Sequence, residues 1–222
     1  MRTMCVCLAV LLFVLVSDPI QAKSTAASTS TRHSVLKLLV PGTSVGGGII
    51  IALKPNIDMG KPLPRFSLPL VSGGKTNPAS IKGATTLVDF FFSGCAGCIE
   101  ELPALNAYAA SHPHMHFLAI TYDDANTAKI FVNKRHFAWP VAYNGQAYLD
   151  QLKVSVYPTL LLLDANGDVR AMHIGSMPFD SPPPSNGKLA MPDVKAIKTS
   201  QVKWLDHWVG QHMASSTSTQ RP

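Results

Sequence analysis

From Leu87 to Phe92 every residue except Asp89 is apolar, and that continuity predicts a strand over Thr85 to Phe92 buried on both faces. Phe66 to Leu70 alternates instead and predicts a short strand, closed by a turn at Ser72-Gly73-Gly74-Lys75. Helical spacing follows over Glu100 to Ala110, a strand over Met115 to Thr121, and a helix over Asn126 to His136 with Ala128, Ile130 and Phe131 on its inner side. A shorter helix is expected over Gln146 to Leu152. Two apolar runs, Thr159 to Asp164 and Val169 to Ile174, flank Ala165-Asn166-Gly167-Asp168, and Asn-Gly between such runs marks a hairpin. Pro178 to Pro192 reads as a Pro/Gly/Ser loop. A last helix is predicted over Asp193 to Met213, with Val194, Ile197, Val202, Trp204, Leu205 and Trp208 available for its apolar face.

The N-terminal pattern is different. Arg2 precedes an apolar core from Val6 to Val16, which Ser17-Asp18-Pro19 breaks before Ile20-Gln21-Ala22, so residues 1–22 read as a secretory signal cleaved after Ala22. The alternative is an uncleaved N-terminal anchor that tethers the protein to the membrane. Residues 23–58 form a linker and an apolar segment: Lys23 to His33 is Ser/Thr/Ala-rich, and Val35 to Leu53 is apolar but interrupted by Pro41-Gly42 and Gly46-Gly47-Gly48. That segment is read as an extension of the domain, with a second membrane segment as the alternative. Residues 59–213 are expected to form one α/β domain, and residues 214–222 are expected to be a polar, disordered tail.

Cysteine usage narrows the chemistry. Of four cysteines, Cys5 and Cys7 lie inside the signal, which leaves Cys95 and Cys98 as the pair in the mature chain. One adjacent pair builds neither a disulfide framework nor a cysteine-only zinc site. Cys95-Ala96-Gly97-Cys98 stands where the buried strand hands over to a helix. The first turn of a helix presents unpaired N–H groups and the positive end of the macrodipole, which stabilise a thiolate. Cys95, with an exposed sulfur at that end, is therefore the expected nucleophile, and Cys98, one turn on, the resolving thiol. Lys and Arg total 19 against 13 Asp and Glu, a net charge of +6. The positive charges are scattered rather than clustered with aromatics, so no nucleic-acid partner is expected.

The order strand, Cys-x-x-Cys, helix, strand, helix, aromatic-Pro-Thr, hairpin, helix resembles the thioredoxin fold. More narrowly, the chain is similar to the TlpA/ResA-type exported thiol-disulfide oxidoreductases. The segments that carry this are Lys61-Pro62-Leu63-Pro64-Arg65-Phe66-Ser67-Leu68, Val88-Asp89-Phe90-Phe91 with Cys95 to Cys98, Glu101 and Pro103, Phe137-Ala138-Trp139-Pro140-Val141, and Val154-Ser155-Val156-Tyr157-Pro158-Thr159. The resemblance implies a central mixed β-sheet flanked by helices, with an N-terminal β-hairpin extension and a central insertion. It also implies a cis Pro158 beside Cys95, with Tyr157 offering backbone groups to the substrate chain. Asp89, six residues before Cys95, matches the buried Asp of thioredoxin, and is the candidate acceptor of the Cys98 proton. Glu101 is a second candidate for the same proton, and Pro103 is expected to kink the helix. Two departures stand out: Gly94 replaces the Trp usual before the first cysteine, leaving a barer rim, and Ala96-Gly97 lacks the common Pro.

The resemblance implies a protein of the periplasm or the extracytoplasmic membrane face that reduces or exchanges disulfides of selected exported proteins, such as apocytochrome c during cytochrome c maturation. A membrane thiol donor would supply its electrons. The redox-active Cys95–Cys98 disulfide stands in place of any cofactor, and no metal is expected. A copper-binding chaperone of the same superfamily is the alternative, although such chaperones usually space their cysteines by three residues. A peroxidase is disfavoured because Phe92 stands where Thr or Ser would be needed. His112-Pro113-His114-Met115-His116 invites a metal reading, yet a connector with exposed imidazoles fits it better.

Overall fold

The computed structural model describes residues 54–180 and 193–214. The signal and most of the linker, the apolar run 35–53, residues 181–192 of the Pro/Gly/Ser loop, and the tail from 215 lie outside the described residues. Among the described residues no helix is long and apolar enough to cross a membrane.

A central strand organises the sheet. β3 (Thr86–Phe91) pairs in parallel with β4 (His116–Thr121) on one side and antiparallel with β6 (Thr159–Leu163) on the other. β5 (Val141–Ala142) adds in parallel beyond β4, and β7 (Val169–Ile174) adds antiparallel beyond β6, giving the order β5-β4-β3-β6-β7. The β6–β7 hairpin turns at Asn166-Gly167, with Gly167 at φ 84° and the Asp164 carboxylate accepting the N–H groups of Asn166 and Asp168. A separate two-stranded hairpin, β1 (Leu68–Pro69) with β2 (Lys75–Thr76), is the expected N-terminal extension. It runs beside β5 through Val71 N–H to Val141 O and Tyr143 N–H to Pro69 O.

Alternation along the strands sorts two cores. Leu87 and Phe91 of β3, Ala119 of β4 and Leu160 and Leu162 of β6 share one apolar cluster with α1 (Ala96–Ser111), α2 (Ala125–Arg135) and α4 (Val194–Ala214). Val88, Phe90, Leu118, Ile120, Leu161 and Leu163 share the other with α3 (Gln146–Gln151) and the segment from Ile57 to Phe66. Asn56 N–H donates to Leu152 O and Ile57 is buried, so the folded body starts ahead of Met59. α2 and β5 together form the central insertion between β4 and α3.

Two apolar assignments differ from expectation. Ile130 is 54% exposed because Ala128 and Phe131, one helical turn apart, define the buried stripe of α2, and Ile130 lies off it. Val194 is 69% exposed because it opens α4 ahead of the buried series Ile197, Gln201, Leu205 and Trp208. α1 begins at Ala96, earlier than Glu100, and runs through Pro103, whose missing N–H leaves the Ile99 carbonyl without its helical donor.

The α1 contact holds the active turn in place. Leu105 is fully buried among α1, α4 and Trp139, whose indole N–H donates to the Leu105 carbonyl at 3.1 Å. Leu105→Ala is expected to cost about 2–5 kcal/mol of unfolding free energy. Urea denaturation of the oxidised protein checks this, and a loss below about 1 kcal/mol would show that α1 is not anchored there.

Candidate functional site

The end of β3 turns through Phe92 to Gly94 and delivers Cys95 as the N-cap of α1. Its backbone is extended (φ −78°, ψ 111°), and its Sγ accepts the Cys98 N–H at 3.1 Å. That is the place a Ser or Asp oxygen usually fills. A sulfur there meets a backbone donor and the positive helix end together, so negative charge on it would be stabilised through a charge-assisted hydrogen bond. Cys95 and Cys98 are joined in a disulfide, with Cα atoms 5.3 Å apart. The exposed sulfur expected at Cys95 is not found: the residue is 5% exposed and Cys98 2%. Neighbouring loops close over the turn, and Cys95 remains the more open of the two.

The loop after β7 does most of this closing. The Tyr157–Pro158 peptide is cis, and the Pro158 carbonyl accepts Gly175 N–H at 2.9 Å. Met177 N–H donates to the carboxyl of Glu101, and the Met177 side chain joins the core cluster that holds both cysteines. Ser176, between these two ties, lies over the active turn. A Cβ on Gly97 would sit 2.3 Å from Ser176 Oγ, so that hydroxyl would have to turn away, and 3.5 Å from Pro158 Cδ, an ordinary packing distance. Read from sequence alone, Gly97 is merely a cost to the first helical turn. Ser176 and Met177 carried no signal in sequence, lying about eighty residues from the turn they brace.

Two carboxyls are buried, Asp89 in β3 and Glu101 in α1. Asp89, opposite Ala119 and Leu160 in register, lies on the strand face that carries the α1 cluster. Its Oδ1 has no hydrogen-bond partner among the described residues. Burial pushes the Asp89 carboxyl up to about 7. Glu101, three residues after Cys98 and hence on the same side of α1, is pushed up to about 8 by burial. The Met177 N–H acts against that shift, whereas negative charge on Asp89 and Glu100 adds to it. Either carboxylate, once ionised, can take up a proton released beside it. Pro158 thus packs on the Cys95–Cys98 turn, Glu101 follows three residues on in α1, and Asp89 lies near enough to Glu101 to raise its carboxyl.

Tyr157, the sixth residue expected at the site, makes no backbone hydrogen bond among the described residues. Its ring, half-buried, meets those of Phe92 and Tyr122. The rim is therefore not bare as the absence of Trp at position 94 implies: three rings from separate segments furnish it. The histidine connector lies at the far end of α1. His112 caps the helix, stacks on Tyr108 with ring centroids 4.0 Å apart and places Nε2 3.5 Å from Asp206. Among the described residues no group of three His, Cys, Asp or Glu side chains gathers as a metal site.

Comparison with known proteins agrees with this geometry. The model of the family described as Redoxin matches residues 58–187. The thiol-disulfide oxidoreductase ResA of Bacillus thuringiensis (strain Al Hakam) is 28% identical over 148 residues, covering 64% of this chain and 86% of that protein. The thiol:disulfide interchange protein DsbE of Pseudomonas fluorescens biotype C is 30% identical over 132 residues, covering 54% and 69%. Among solved structures, a DsbE-type thiol:disulfide interchange protein from Chlorobium tepidum superposes with a TM-score of 0.52 at 26% identity, covering 55% of this chain and 89% of that one.

The carboxyls make stability depend on pH. Asp89 and Glu101 hold protons in the folded protein that the unfolded chain releases near 3.8 and 4.5, so stability is full below about pH 4 and is lost as pH rises toward 7 and 8. Asp89→Asn is expected to reduce that fall by roughly 4 kcal/mol. Urea denaturation of the oxidised protein at acid and alkaline pH checks this, and an unchanged pH dependence in the variant would contradict it.

Proposed function

The chain belongs to the Redoxin family, on its ResA-like thiol-disulfide oxidoreductase branch, and from that membership we propose that it is an exported reductant of selected protein disulfides acting through Cys95 and Cys98. The observation that carries this reading is the Cys98 N–H directed at Cys95 Sγ at the start of α1, beside cis-Pro158.

In the reduced protein the Cys95 thiolate attacks a substrate disulfide, forming a mixed disulfide and releasing one substrate thiolate, which takes a proton from solvent. Cys98 then loses its proton to Asp89 or Glu101, and its thiolate attacks the Cys95 sulfur. The second substrate thiolate leaves, and two electrons have passed from the Cys95–Cys98 dithiol to the substrate. A thiol donor at the membrane must restore the dithiol. The unused backbone groups of Tyr157 support pairing with an extended substrate chain.

The apolar core Val6 to Val16 with its flanking residues supports export to the periplasm or the extracytoplasmic membrane face. The relatives named thiol-disulfide oxidoreductase ResA and thiol:disulfide interchange protein DsbE support thiol–disulfide exchange, and the narrower expectation is a selective reductant in cytochrome c maturation, with apocytochrome c as a substrate.

Two measurements test this. Cys98→Ser should accumulate mixed disulfides with exported proteins through Cys95, identifiable by mass spectrometry, whereas Cys95→Ser should form none; absence of adducts from Cys98→Ser would overturn the reading. In steady-state disulfide reduction, Asp89→Asn and Glu101→Gln should each slow turnover at neutral pH by about 10- to 100-fold, and together by more. Wild-type rates from both single variants would remove the carboxyls from proton transfer.

A further inference from the structure

Phe92, Tyr122 and Tyr157 come from three segments of the chain: the end of β3, the loop after β4, and the residue before Pro158. Their rings form a closed triad. Phe92 stacks on Tyr122 with centroids 5.4 Å apart at 21°, and Tyr157 meets both edge-on, at 5.4 Å and 84° to Phe92 and at 5.8 Å and 74° to Tyr122. Such offset and T-shaped contacts are the arrangements aromatic quadrupoles favour. All three residues are only half-buried. The triad therefore packs one side against the core clusters and leaves part of its ring surface to solvent.

Its position is set relative to the disulfide at both ends. Two Phe92 ring atoms lie 3.3 and 3.7 Å from where a Cβ on Gly94 would be, so the ring covers the residue preceding Cys95. Tyr157 precedes Pro158, whose Cδ lies 3.5 Å from the corresponding point on Gly97. The rings are thus continuous with the wall around the Cys95–Cys98 turn. They are also held firmly. One oxygen of the Asp123 carboxylate accepts Ser93 N–H at 2.7 Å and Thr121 Oγ1–H at 2.8 Å, which ties the Tyr122 loop to the Phe92 loop. Burial pushes the Tyr157 phenol up to about 12 and raises Tyr122 as well, so both rings stay uncharged at physiological pH. Rigid, amphipathic rings of this kind supply contact area at low entropic cost.

We propose that Phe92, Tyr122 and Tyr157 form a docking platform beside the disulfide for an aromatic or large aliphatic side chain flanking the cysteine of a substrate protein, so that the enzyme selects disulfides by their apolar surroundings. A substrate chain whose sulfur has reached Cys95 carries its flanking side chains across Gly94 and Tyr157, where the platform is. This rests on the reading of the chain as a disulfide reductase.

The test uses two synthetic single-cysteine peptides, each supplied as its disulfide-linked dimer, identical except that Trp or Ser flanks the cysteine. In each turnover the Cys95–Cys98 dithiol is oxidised to the disulfide while one peptide dimer is reduced to two thiols, and a small dithiol, dithiothreitol, supplied at one fixed concentration, restores the enzyme dithiol and is itself oxidised, its uncatalysed rate with each substrate being subtracted. Hydroxyethyl disulfide, which has no side chain to dock, serves as the third substrate. The full-length wild type, reduced beforehand, should turn over the Trp peptide with a kcat/KM about tenfold above that for the Ser peptide, the difference residing in KM. In Tyr122→Ala the ratio of the two kcat/KM values should fall to near one, whereas Tyr122→Phe, which keeps the ring, should retain it. Reading the ratio separates docking from any general loss of folded protein. Equal kcat/KM values for the two peptides in the wild type, or an unchanged ratio in Tyr122→Ala, would overturn the platform while leaving the reductase reading intact. Failure of the wild type to reduce hydroxyethyl disulfide as well as both peptides would overturn that reading, and the platform with it.

Discussion

The Cys98 N–H pointing at Cys95 Sγ across the first turn of α1 sets the chemistry this fold can perform. In the disulfide it is a contact to a neutral sulfur. On reduction the same donor faces a thiolate, and the hydrogen bond gains charge assistance and the helix dipole at no further cost in reorganisation. The sheet serves this geometry: β3 lies at its centre, paired on both sides, so the strand that ends at the active turn is its best-supported element. Packing of α1 against α4 and Trp139 fixes the direction of the helix, and the Gly175–Met177 loop fixes its N-terminal turn from above.

The fold also accepts a cost. Asp89 and Glu101 are buried, and each holds its proton near neutral pH because burial disfavours its charge. A purely structural core would place apolar side chains there. Carboxyls poised to titrate between pH 7 and 8 beside a thiol that must shed a proton form instead an arrangement suited to exchange chemistry. In the proposed cycle the carboxyls serve Cys98 and the helix end serves Cys95.

The parts of this account that were legible in the sequence are local. The apolar run of β3, the Asn-Gly hairpin and the position of the Cys-x-x-Cys at a strand-to-helix junction are set within a few residues, and the structure follows them. The cis peptide at Pro158 became readable only through family resemblance. What escaped is long-range or too short to register. β5 is two residues long and exists only because Val141 and Ala142 pair with β4. The aromatic triad joins positions 92, 122 and 157, so a rim judged from Gly94 alone looked bare. The Glu101–Met177 tie spans 76 residues. Ile130 and Val194 were placed inward on hydrophobicity, whereas the stripe each helix buries is narrower than its apolar residues imply. Cys95 proved more enclosed than a nucleophile at a helix end suggests because Ser176 and Pro158 approach over Gly97.

The most direct test of the central interaction is the titration of Cys95 in the reduced protein, followed by thiolate ultraviolet absorbance together with the pH dependence of its alkylation by iodoacetamide. A sulfur held by the Cys98 N–H and the α1 dipole should ionise at least one unit below the ordinary free-thiol value of about 8.5. Ionisation at or above that value would contradict the account, since neither the donor nor the helix end would then be acting on the sulfur.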